Sequence, residues 1–101
     1  MSQSATVLQA IALKKCLEAV YNRAPVRLAP HILYTRHDEL YVDAVTVERE
    51  GKPPREIKIG TFKLDGLQEL AVAEQDFQPN ALFNPGEDKY RDVTLFAVER
   101  G

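Results

Sequence analysis

The stretch Val26-Arg27-Leu28-Ala29-Pro30-His31-Ile32-Leu33-Tyr34-Thr35-Arg36, with its continuation Leu40-Tyr41-Val42-Asp43-Ala44-Val45-Thr46-Val47-Glu48, decides how this chain folds. Valine, leucine, isoleucine, tyrosine and threonine dominate both runs, and such side chains suit a pleated, half-buried backbone. Only the polar tetrad Arg36-His37-Asp38-Glu39 separates them, so the pair predicts a β-hairpin. The second run is apolar at both parities, interrupted mainly by Asp43, which predicts a central strand covered on both faces.

Upstream, Asn22 to Pro25 reads as a turn, because Pro25 fixes its own φ and pushes Ala24 into an extended conformation. Residues 16–22 are ambiguous: Leu17, Glu18 and Ala19 would continue a helix, while Leu17, Ala19 and Tyr21 alternate as one strand face. Ahead of them, Ser2 and Ser4 precede Val7, Leu8, Ile11 and Ala12, and this spacing predicts a short helix over residues 4–14. Downstream, Glu50-Gly51-Lys52-Pro53-Pro54 is the clearest breaker and predicts an exposed turn. Ile57 and Ile59 set one apolar parity and Phe62 and Leu64 the other, which predicts a β-bulge at Gly60-Thr61. Residues 67–77 hold one more strand with Leu70 and Val72 inward, ended by Gln78-Pro79-Asn80. Residues 81–89, with Asn84-Pro85-Gly86, read as loop, and residues 92–99 as a final strand or helix. One helix followed by about five closely spaced strands predicts a mainly β fold, a small bent barrel of SH3-like or Sm-like type.

A chain of 101 residues is one domain's worth, and 45% hydrophobic against 28% charged residues is a globular balance rather than a disordered one. Thirteen basic and fifteen acidic residues leave a net charge of −2, so binding to nucleic acid would need a local patch rather than a whole-molecule field. The lone Cys16 supports neither an internal disulfide nor a zinc site and fits a reducing, cytoplasmic setting. No apolar run approaches the roughly 18 residues of a membrane span, so no membrane association is expected.

Four segments taken together, Leu17-Glu18-Ala19-Val20-Tyr21-Asn22, Val26-Arg27-Leu28-Ala29-Pro30-His31, Leu40-Tyr41-Val42-Asp43-Ala44 and Phe62-Lys63-Leu64-Asp65-Gly66-Leu67, resemble the WYL-domain family in order and spacing. The resemblance covers residues 7–77 of a single WYL-like domain spanning 1–101 and leaves residues 78–101 as a C-terminal extension of unassigned role. It implies an Sm-like barrel preceded by a helix, with residues 16–22 as the first strand. It also implies a ligand-sensing module of bacterial transcription regulation, responding to a nucleotide or single-stranded nucleic acid. Carried over position by position, Tyr21, Arg27, His31, Tyr41 and Lys63 fall where the family places pocket or signature residues. The chain departs from the pattern at Leu40-Tyr41-Val42, which lacks the family's tryptophan, and at Gly66, which stands where a basic residue follows the aspartate. The family's helix-turn-helix does not fit into the residues before Cys16, so a separate DNA-binding protein is the expected partner.

Read as chemistry, Arg27 and His31 lie four residues apart on one strand face, roughly 13 Å from each other, close enough to flank an anion but not to grip one phosphate jointly. The guanidinium fork suits phosphate oxygens, and Tyr21 or Tyr41 could stack on a base. The competing reading places the arginine stem over the barrel surface and packs the tyrosine rings inside. His37 reads as a solvated turn residue, Cys16 as a buried small apolar side chain, and Glu69, Glu74, Asp76, Glu87 and Asp88 as a hydrated acidic rim without metal-binding spacing. No nucleophile elbow, phosphate loop or dinucleotide motif is present, so no enzyme activity, metal or cofactor is expected. Two functions follow as expectations: an anionic-ligand sensor, and a protein-interaction module in which a sheet edge or the Val7, Leu8 and Ile11 helix face docks a partner or a second copy.

Overall fold

The computed structural model describes residues 3–98. Helix α1 (Gln3–Leu13) leads into β1 (Lys15–Tyr21), β2 (Ala24–Arg36), β3 (Glu39–Arg49) and β4 (Ile59–Lys63); a 3-10 turn (Leu64–Gly66), β5 (Gln68–Asp76), a second 3-10 turn (Asp88–Tyr90) and β6 (Thr94–Ala97) follow. The fold is thus mainly β with one N-terminal helix, and the ambiguous segment after the helix is a strand. Ser2, named ahead of the expected helix, and Glu99, the last residue of the expected final element, lie outside the described residues.

The hairpins follow from their turns. Tyr21 pairs with Ala24 and Arg36 with Glu39, leaving Asn22-Arg23 and His37-Asp38 as two-residue loops. All four loop residues have positive φ, the type I′ geometry whose twist matches that of the flanking strands. A third turn of this kind, Glu50-Gly51, closes the Arg49–Lys52 bridge with φ of 54° and 80°.

The antiparallel sheet runs β4-β3-β2-β1-β5, and β6 pairs with β2. A flat sheet would put β4 and β5 about 19 Å apart, four spacings of about 4.8 Å. The residues from Lys63 to Gln68, mostly in a 3-10 turn rising about 2 Å per residue, reach only about 12 Å. The sheet is therefore strongly curled. Among the described residues no ladder joins β4 to β5, so what the structure shows is an open curled sheet rather than a closed barrel.

The bend does not come from Gly60-Thr61. Residues Ile59 to Lys63 pair one for one with Val45 to Tyr41, without a bulge. The parity slip has a different cause: each face of β4 carries a partly buried apolar residue. Phe62 shares the face of Val42 and packs on the main core, whereas Ile59 shares the face of Val45 and also packs on a smaller cluster of Cys16, Ala29, Val45 and Ala73. The irregularities lie instead in β2 and β3, where Val47 and His31 are extra residues in the ladder, and between β1 and β5. Pro30, which lacks an amide donor, sits beside the His31 bulge, where β2 passes from pairing with β1 to pairing with β6.

Val7, Ala10 and Ile11 form the buried stripe of α1. Leu8, expected on that stripe, is 37% exposed, because one residue is a 100° step around a helix and carries it to the rim. Gln3 fixes the helix start by donating from Nε2 to the carbonyls of Leu64 (3.0 Å) and Leu67 (2.6 Å). Leu70 and Val72 pack inward, as their alternation predicts. The segment after β5 is loop in its backbone but core in its side chains: Phe83, Tyr90 and Val98 are all buried in the main cluster.

Candidate functional site

The five residues singled out in the sequence do not meet in one cavity. Tyr21 is half-buried, edge-to-face on Phe62 at 5.2 Å. Arg27 faces two carboxylates, with Glu48 at 3.5 Å and Glu18 at 3.8 Å, and donates to Gln75 Oε1 at 3.0 Å. Its charge is taken up by neighbours of the same sheet. Arg27 and His31 both stand on β2, with a bulge at His31, but Arg27 meets Glu18, Glu48 and Gln75 while His31 is buried against Phe77 and Phe83, so the two do not flank a common opening. Tyr41 and Lys63 are cross-strand partners. Tyr41 stacks near Tyr34 at 6.1 Å, and Lys63 pairs with Glu39 at 2.8 Å, a hydrogen bond and charge that hold its ammonium above the usual lysine value.

His31 is fully buried and both ring nitrogens are engaged. Nε2 accepts from the Asn80 amide at 2.9 Å, which leaves Nδ1 as the protonated nitrogen donating to the Ala29 carbonyl at 2.8 Å. No ring nitrogen is left for a ligand, and the residue is a socket for the chain after β5. Burial pushes its pKa below the ordinary 6.5, against a smaller upward effect of the Ala29 bond. The unfolded chain therefore takes up a proton near pH 6.5 that the folded chain refuses. The stability His31 contributes is intact above pH 6.5 and falls as pH drops below it, by up to about 1.4 kcal/mol per pH unit until the folded value is reached. Nitrogen chemical shifts of the His31 ring, followed from pH 8 to 5.5, are expected to keep the neutral Nδ1–H pattern at pH 6.5. Titration of the ring at or above 6.5 would contradict the buried assignment.

The second buried polar residue of the hairpin, Asp43, organises the site. Its Oδ1 accepts from the Tyr34 hydroxyl at 2.7 Å, and its Oδ2 accepts from the Tyr90 hydroxyl at 2.5 Å and pairs with Lys89 Nζ at 3.1 Å. Burial first, and then the Asp43 hydrogen bond, pushes the Tyr34 phenol up to about 12, partly opposed by a hydrogen bond with Thr61. Tyr90 is shifted upward for the same two leading reasons. Lys89 also lies 5.0 Å from the centre of the Tyr90 ring.

Beside this cluster opens a cleft of about 530 Å³. Arg36 and His37, from the end of β2 and its turn, line one part, Lys89 and Val93 another, and Tyr34, Thr35 and Thr61 supply hydroxyls. Arg36 and Lys89 bring two cations to one opening, and the Thr35 hydroxyl can donate to an anion held between them, whereas the Tyr34 proton is committed to Asp43. A second cleft, of about 680 Å³, is lined by Asp38, Glu39 and Asp65 without a cation and suits no anion. Among the described residues no group of three His, Cys, Asp or Glu side chains gathers to hold a metal ion. Cys16 is buried, and that burial raises its thiol pKa.

Sequence reasoning missed Arg36 and Lys89, while His37, read as a solvated turn residue, is exposed in the turn between β2 and β3. The available signal was Asp43, a carboxylate inside an apolar strand, which requires buried donors from elsewhere in the chain. Comparison of the chain with protein-family models, curated proteins and solved structures gave no match in any of the three. No described helix is long and apolar enough to cross a membrane.

Proposed function

We propose that this chain is a non-enzymatic sensing domain that takes an anionic ligand, a nucleotide or a segment of single-stranded nucleic acid, in the cleft between Arg36 and Lys89. The observation that carries the reading is the convergence of these two cationic residues, with Thr35 between them, on one opening. Of the residues drawn from the WYL-like segments, none lines this cleft: Lys63 shares β4 with Thr61, which does, while Tyr21, Arg27, the buried His31 and Tyr41 stand elsewhere on the sheet. The regulatory role rests on the likeness to that family, and a cytoplasmic setting on the lone, buried Cys16. An SH3-like or Sm-like barrel belongs to the same reading, supported by the helix ahead of the strands and by the curl that brings β4 towards β5.

The test is a titration of the full chain at low salt with inorganic phosphate, adenosine monophosphate and a short oligothymidylate. Saturable binding below millimolar is expected for at least one of them. Arg36→Gln is expected to weaken it about tenfold, one charge-assisted contact's worth, while Arg27→Gln leaves it unchanged. Absence of binding by all three probes, or an equal loss in Arg27→Gln, overturns the reading.

One observation favours a second function. Leu95 and Phe96 of β6 are 54% and 37% exposed, on a strand whose outer edge has no partner among the described strands. Such an edge suits docking of a partner protein or of a second copy. Sedimentation showing a dimer that Phe96→Lys dissociates would support it, and a monomer at high concentration would oppose self-association.

A further inference from the structure

The anion cleft lies along a seam between two parts of the chain. Arg36 and Thr61 belong to the curled sheet, whereas Lys89 and Val93 belong to the segment that returns after β5. That segment is held to the sheet by three buried side chains, Phe83, Tyr90 and Val98, and by a few polar contacts. The Asn80 amide donates to His31 Nε2 at 2.9 Å, the Tyr90 hydroxyl and Lys89 ammonium reach Asp43, the Thr35 amide donates to the Val93 carbonyl at 3.0 Å, and the Val98 amide donates to the His31 carbonyl at 2.7 Å. Between Asn80 and β6 its backbone forms local turns, a three-residue 3-10 helix and the one bond to Thr35, and β6 itself pairs at three positions.

We propose that the segment from Asn80 to Val98 is the responsive element of the sensor, and that an anion in the cleft locks it onto the sheet by bridging Arg36 and Lys89. This rests on the cleft being the ligand site. An anion that meets both walls binds the docked arrangement and loses half of its contacts when the segment lifts away, so its binding free energy is added to docking. Lys89 is the coupling group, because its ammonium already spans the seam to Asp43 and can share itself with a ligand on the cleft side. The dependence is reciprocal: loosening the anchors must weaken the ligand by the same factor that the ligand tightens them. The signal read by a partner is then the docked or released state of the C-terminal third, including the apolar β6 edge.

Amide hydrogen exchange of the full chain, with and without adenosine monophosphate at about 100 times its dissociation constant, tests this. Slowing that approaches 100-fold is expected across residues 88–98 and at Thr35, with β1 and β5 unchanged. Tyr90→Phe, which removes one anchor and little volume, is expected to speed exchange in residues 88–98 without ligand and to recover on its addition. Measured binding with unchanged exchange in residues 88–98 overturns the inference and leaves the cleft as a site. Failure of every probe to bind overturns the site itself and the inference with it.

Discussion

Asp43→Ala is expected to destabilise the protein by about 3–5 kcal/mol, the range for breaking a buried charged pair and orphaning its partners. The substitution deletes the acceptor shared by two buried phenols and by Lys89. Tyr34 and Tyr90 are almost fully buried, so their hydroxyls cannot turn to water without moving the rings, and each unsatisfied donor costs about 1–3 kcal/mol. Lys89, half-exposed, can re-solvate and contributes little to the loss. For a domain whose whole stability is about 5–15 kcal/mol, such a change leaves it marginal. Urea unfolding followed by tyrosine fluorescence measures the effect, with Tyr90→Phe as a milder step of about 1–2 kcal/mol because only one hydrogen bond is removed. An Asp43→Ala protein within about 0.5 kcal/mol of the parent would show that the cluster does not hold the C-terminal segment in place.

Phe83→Ala gives the second large effect, a loss of about 3–5 kcal/mol for a fully buried phenylalanine. Phe83 is the largest fully buried side chain of the described residues and touches both anchors of the seam, the His31 ring at 5.2 Å and the Tyr90 ring at 5.9 Å. Its neighbour Leu82 is 59% exposed, and Leu82→Ala is expected to change stability by no more than about 0.5 kcal/mol. The contrast between adjacent residues separates packing from a general intolerance of that loop. Equal and small effects at both positions would mean that the segment after β5 can leave the core without unfolding it.

These two sites also mark where reading along the chain succeeds and where it stops. The hairpin of β2 and β3, the turns at Asn22-Arg23 and His37-Asp38, and the helix ahead of them are local: alternation, turn residues and a 3.6-residue stripe are set by neighbours within a few positions. The coverage of both faces of β3 was equally legible, since Val42 to Val45 are buried without a break. The β-bulge predicted at Gly60-Thr61 is absent, because a bulge and a strand with apolar residues packed on both faces write the same pattern.

The sequence by itself determined the mainly β class, the order of the helix and strands, and the inward positions of Leu70 and Val72. Tertiary structure alone decided what His31 and Asp43 are for, since their partners Asn80, Lys89, Tyr90 and Val98 stand 46 to 67 residues away. It also decided that Phe83, in a stretch that reads as loop, belongs to the core, and that Arg36 and Lys89 share an opening while Arg27 is neutralised by Glu18 and Glu48. The physical reason is that burial of a polar group is settled by whichever distant donor or acceptor the curled sheet brings to it, and periodicity along the chain records only which face a residue takes.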